Sequence, residues 1–151
     1  LDFGNNLALL EDPMQVIKNL APYAISTHIK DMAVSEYTNG FLLSEVPLGQ
    51  GILDLRKIVN TCKKHNSTIK FNLEMITRDP LKIPCKTDTF WSTFGSKNEK
   101  ELSSIMGYIS KNNSKRALPT VSNLTLEAKL AVEESNNTES ISYSRSRLKL
   151  K

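Results

Sequence analysis

The sequence predicts an α/β fold, a parallel sheet with helices outside it followed by a helical extension. Three observations carry this. Residues 69–75, Ile-Lys-Phe-Asn-Leu-Glu-Met, alternate apolar and polar strictly, the period of a strand with two unlike faces. Two stretches beginning at Asp12 and Asp54 repeat apolar residues at helical spacing. Their order with the strand-like stretches is strand, helix, strand, long loop, helix, strand, a βαβαβ run whose crossovers make neighbouring strands parallel.

The chain has 151 residues, 39% hydrophobic and 24% charged, enough for one ordinary folded unit. Its formal charge of +4 is local. Arg145, Arg147, Lys149 and Lys151 follow the last acid, Glu139, and the remaining sixteen bases are matched by sixteen acids. The body therefore lacks the basic footprint that binding a phosphate backbone requires, and no nucleic-acid partner is expected. No apolar run approaches the roughly 20 residues of a membrane span, so no membrane partner is expected either. Cys62 and Cys85 are too few for a disulfide framework or a zinc knuckle, and reduced thiols in a cytoplasmic protein are expected.

The elements follow in order. Leu1-Asp2-Phe3-Gly4-Asn5 reads as the tail of a strand and its turn, which suggests a chain cut from a longer one. Asp12 caps a helix with Pro13 at its first position and Val16, Ile17 and Leu20 on one face; Pro22 ends it. A strand over 23–29 places Ile25, Thr27 and Ile29 on one face and Ala24, Ser26, His28 and Lys30 on the other. Residues 31–53 show no regular period and read as a long loop, with Phe41, Leu42 and Leu43 as a lid or an oligomer contact. Gly49-x-Gly51-x-x-Asp54 reads as a tight turn before a helix capped by Asp54, in preference to a phosphate loop. That helix carries Leu55, Ile58, Val59 and Cys62 on one stripe and ends at an exposed His65. The strand with Glu74 follows. Residues 79–94 read as irregular, 98–110 as a helix through Leu102, Ile105, Met106 and Ile109, and Leu118-Pro119 as a linker. A last helix opens at Thr125 with Leu126, Leu130, Ile141 and Leu148 on its apolar side, a weak middle at 135–138 and a frayed end.

Asp2, His28 and Glu74 fall at equivalent places, each near the C-terminal end of a strand. In a parallel sheet those ends are where ligands bind. An Asp, a His and a Glu converging there form a donor set suited to Mn²⁺, Mg²⁺, Co²⁺ or Zn²⁺. Asn5 and Lys30 are candidates for contacting substrate hydroxyls or a phosphate. Arg78, on the rim, is a candidate for an anionic substrate group, with a structural pair to Asp79 or Asp88 weighed equally.

The segments Leu1-Asp2-Phe3-Gly4-Asn5, Thr27-His28-Ile29-Lys30-Asp31-Met32, Pro47-Leu48-Gly49-Gln50-Gly51-Ile52-Leu53-Asp54 and Asn72-Leu73-Glu74-Met75 together resemble the xylose-isomerase-like TIM-barrel superfamily, in particular its sugar and sugar-phosphate isomerases and epimerases. The resemblance implies that residues 1–95 are the C-terminal part of a (β/α)8 barrel, about its last three strands. Residues 96–151 would be a helical extension packing on this incomplete barrel. It implies that Asp2, His28 and Glu74 are three of four ligands to a divalent metal, the fourth being a Glu ahead of residue 1. Glu74 would act as one of two catalytic carboxylates on a small-molecule sugar substrate, in an enzyme that can form a homo-oligomer, and the fragment alone would be inactive. The same superfamily contains endonucleases that cut at abasic sites, the alternative from another class, which need more histidines than the two present here. A non-catalytic truncated barrel is the third reading.

Overall fold

The computed structural model describes residues 1–150. It is a mixed α/β structure of five helices and two small sheets, with no closed barrel among the described residues. The parallel part is built as the alternation requires. β1 (Ser26–Ile29) pairs in parallel with β4 (Lys70–Leu73), His28 opposite Asn72. On the other side of β1, Asp2 makes a parallel bridge to His28, with His28 N–H donating to Leu1 O at 2.9 Å and Phe3 N–H to His28 O at 3.2 Å. Three parallel segments thus lie side by side, in the order N-terminal segment, β1, β4.

One face of this layer is core. Phe3, Thr27 and Ile29 are buried there, with Phe71 and Leu73 half-buried beside them. Helices α1 (Pro13–Leu20) and α2 (Leu55–His65) pack together, and each is started by an aspartate that accepts a backbone N–H: Asp12 from Gln15 at 2.7 Å and Asp54 from Lys57 at 3.0 Å. Leu55, Ile58, Val59 and Cys62 are all buried, the stripe read from the sequence. Both cysteines are free and buried. The strands are shorter than their alternation suggested. A 3-10 turn occupies Ala21–Tyr23, Ile25 is exposed, and Glu74 lies just beyond β4, its N–H donating to Ile29 O at 3.0 Å.

Residues 31–53 correct the sequence reading. They are no irregular loop: β2 (Asp31–Tyr37) and β3 (Gly40–Val46) form an antiparallel hairpin, and β5 (Leu81–Ile83) adds to β3. The period was hidden because both faces are largely covered, so the strands carry no polar alternation. Phe41 and Leu43 are buried in the core, which removes them as a lid or an exposed contact. A short helix, α3 (Asp88–Trp91), also stands where irregular chain was expected, its Trp91 Nε1–H donating to Cys85 O at 2.7 Å.

In the extension, α4 (Glu99–Lys111) packs on β2, with Leu102, Ile105 and Ile109 buried. The last helix, α5 (Leu126–Ser146), runs unbroken through its weak middle. Its expected apolar side is exposed at Leu126, Leu130 and Ile141. The half-buried Tyr143 ring, packed on the core beside Gly49, and a set of polar contacts dock it instead. Ser140 Oγ accepts Leu48 N–H at 3.2 Å, Asn136 donates to Thr77 Oγ1 at 3.1 Å, and Gln50 donates to Glu139 at 2.6 Å. Those contacts hold the helix where propensity alone would not. Beyond it Leu148 is buried, so the end is seated rather than frayed.

Candidate functional site

The parity of β1 places His28 and Lys30 on one side of the layer, and the parallel pairing brings the ends of three segments to one edge. Asp2, Asn5, His28, Lys30 and Glu74 meet there. His28 Nδ1 lies 2.7 Å from Glu74 Oε2 and 4.0 Å from Asp2 Oδ2. Lys30 Nζ lies 2.7 Å from Glu74 Oε1, 3.0 Å from Asp2 Oδ2 and 3.2 Å from Asn5 Oδ1. Asp2 Oδ1 also accepts the N–H of Asn5 at 3.2 Å, which fixes the turn after the first segment.

Burial divides the cluster. The His28 side chain is 60% exposed and those of Asp2 and Glu74 are 27% exposed, whereas Lys30 is 1% exposed. Burial pulls the Lys30 ammonium toward neutrality, but hydrogen bonds and charge from Glu74 and Asp2 outweigh it and hold its pKa above the usual lysine value. In return the hydrogen bond from Lys30 holds the Glu74 carboxyl below the usual range, against partial burial. The site therefore contains two carboxylates, one internal ammonium and one accessible imidazole.

Asp2, His28 and Glu74 each offer a ligand atom, and these atoms lie within 4.8 Å of one another. Two ligands about 2.1 Å from one ion are at most about 4.2 Å apart, so a pair at the 4.8 Å limit must close by about 0.6 Å or more. Two oxygens and an imidazole nitrogen suit a hard or borderline divalent ion. By donor chemistry and spacing, the residues fit such a group.

The remaining candidates lie differently. Asn5 and Lys30 reach the site, but Lys30 is turned inward, with all three ammonium hydrogens spent on Asp2, Glu74 and Asn5. Arg78 pairs with neither Asp79 nor Asp88: its Nη2 donates to buried Glu45 Oε1 at 3.0 Å. Glu45 also takes the N–H of Ile76 at 2.6 Å and so fixes the chain just after Glu74. Asp79 is occupied by Ser122 and the N–H of Val121. His65 is exposed at the end of α2, as read from the sequence.

Two residues that shape the site were missed. Glu45 is one. The other is Asp31, whose buried carboxylate accepts N–H bonds from Met32, Gly49, Gly51 and Leu53 at 2.9 to 3.1 Å. It ties the start of β2 to the 49–53 turn, and it explains the glycines. Gly49 has φ +85°, and a Cβ on Gly51 would overlap Asp31 Oδ1. With these amides spent on Asp31, the turn has none of them free to cradle a phosphate. Burial pushes the Asp31 carboxyl up to about 6 against the pull of the four amides. The Asp-Gly-x-Gly partnership could have been suspected only by knowing that 31 and 51 are neighbours.

A cleft of about 700 Å³ lies between the hairpin, residues 112–119 and α5, and is not lined by Asp2, His28 or Glu74. The cluster sits instead on an open face of the parallel layer. No helix among the described residues is long and apolar enough to cross a membrane. Comparison with known proteins gives no matching family model, curated protein or solved structure.

Proposed function

We propose that this chain carries part of the active site of a metal-dependent isomerase or epimerase that acts on a sugar or sugar phosphate by proton transfer next to a carbonyl. The observation that carries the reading is the convergence of Asp2, His28 and Glu74 at the same end of three adjacent parallel segments. On this reading the three segments are consecutive strands of a (β/α)8 barrel, α1 and α2 are its outer helices, and residues from 96 onward are an extension.

Asp2, His28 and Glu74 would hold the ion. A divalent ion held there would polarise a carbonyl and its neighbouring hydroxyl, which would make the hydroxyl-bearing carbon next to the carbonyl acidic. Glu74 is the candidate base: its carboxyl is held ionised by Lys30 and remains partly exposed on the face where a substrate would lie. His28, more exposed, binds from the adjacent strand. Arg78 still presents an exposed guanidinium edge at the rim after Glu74, available to an anionic group although one nitrogen is spent on Glu45.

The test is solvent-deuterium exchange at the carbon next to the carbonyl, with ketoses, aldoses and their phosphates in the presence of Mn²⁺. Metal-dependent exchange that Glu74→Gln abolishes supports the reading. Exchange that ignores both chelator and Glu74→Gln overturns it.

A further inference from the structure

We infer that Lys30 is the resident counter-cation of this site, a positioning residue that holds the Asp2 and Glu74 carboxylates in place and weakens the grip of Asp2, His28 and Glu74 on a divalent ion. The inference rests on the metal-site reading above and goes beyond it. Three observations carry it. Lys30 is 1% exposed, so it touches the carboxylates rather than anything arriving from solvent. Its three contacts, Glu74 Oε1 at 2.7 Å, Asp2 Oδ2 at 3.0 Å and Asn5 Oδ1 at 3.2 Å, use every donor the ammonium has. Two of the three are oxygens of residues in the candidate ligand set.

Two consequences follow from charge and geometry. With Lys30 in place, two carboxylates and one ammonium leave a single formal negative charge to attract an ion; without it there are two. An ion held by those carboxylates also lies only about 5 Å from the ammonium, where repulsion between a double and a single charge lowers affinity by about tenfold even in water-like surroundings. Against this, Lys30 holds both carboxylates in place, so an arriving ion meets a formed site. The site would bind metal modestly and release it readily.

The test is a Mn²⁺ titration, by calorimetry and by loss of the free-ion electron paramagnetic resonance signal, at constant pH and low salt. Wild type, Lys30→Met and Lys30→Arg are compared. Lys30→Met is expected to bind Mn²⁺ about tenfold more tightly, and Lys30→Arg, which keeps the charge, to stay within a few-fold of wild type. A merely structural lysine gives the opposite sign, because the carboxylates would splay in Lys30→Met; weaker or unchanged binding there overturns the inference and leaves the metal reading standing. Binding by Lys30→Met but not by wild type supports the inference and removes metal from the protein's function. Binding by neither overturns both. If Lys30→Met does not fold, wild type decides through its ¹⁵N-lysine spectrum: substoichiometric Mn²⁺ should broaden the Lys30 side-chain resonance, and a sharp, unmoved resonance on saturation overturns the inference.

Discussion

Lys30 Nζ lies 2.7 Å from Glu74 Oε1, joining residues 44 apart in sequence across the seam between β1 and β4. The other oxygen of the same carboxylate faces His28 Nδ1 at 2.7 Å, so Glu74 is held on both sides.

Glu74→Gln should therefore destabilise the fold. The amide keeps one acceptor and turns a donor toward either Lys30 or His28, and a lost charge-assisted hydrogen bond of this kind costs about 1–3 kcal/mol. The pH dependence has a definite sign. Because the folded Glu74 carboxyl is held below its unfolded value, its contribution is present above the unfolded range and is lost as pH falls through the folded value. Urea denaturation should show wild type and Glu74→Gln clearly separated at pH 7 and converging in acid. Equal stability at pH 7 would mean that the contact contributes nothing.

Asp31 has the opposite sign. Its folded carboxyl is pushed up to about 6 from an ordinary 3.8, so the native state holds the extra proton between those values. Stability from this group is present at and below pH about 4 and falls as pH rises toward 6, by at most about 3 kcal/mol at 1.36 kcal/mol per unit. Asp31→Asn should flatten that slope. It should also lower stability by about 1–3 kcal/mol, because its amide nitrogen would meet backbone N–H donors of the 49–53 turn. A variant as stable as wild type, with the slope intact, would contradict this.

Phe41 separates a core strand from a lid. It is fully buried in β3, so Phe41→Ala should cost about 3–5 kcal/mol in denaturant midpoint experiments. A loss under 1 kcal/mol would return the segment to the surface.

The glycines give a paired comparison. Gly51→Ala would drive its methyl into Asp31, whereas a Cβ on Gly107, inside α4, meets nothing within 4 Å. Thermal unfolding should show Gly51→Ala strongly destabilised and Gly107→Ala more stable by roughly 0.5–1 kcal/mol.

What could be read from the sequence was whatever a local period encodes. The α2 stripe, the caps at Asp12 and Asp54, and the alternation that sets Asn72 and Glu74 apart from Phe71 and Leu73 are short-range patterns, and all appear. Asp2, His28 and Glu74 were found because each stands near a strand end, which the βαβ order makes neighbours. The hairpin was illegible because strands covered on both faces lose the polar alternation. The inward partners of Lys30 and Arg78, Glu74 and Asp2 in one case and Glu45 in the other, were illegible because they lie 28 to 44 residues away. A charge's partner is a tertiary fact. The docking of α5 through Ser140 and Asn136 is another, since an exposed Leu126 and a seated Ser140 reverse what hydrophobicity alone suggests.

Whether Asp2, His28 and Glu74 form one metal site is read from Mn²⁺ binding followed by pulsed electron paramagnetic resonance. One Mn²⁺ per chain is expected, with a coupling to an imidazole nitrogen. That coupling should vanish in His28→Gln, and affinity should fall at least tenfold in both Asp2→Asn and Glu74→Gln. No binding, or binding that all three substitutions leave unchanged, would contradict it.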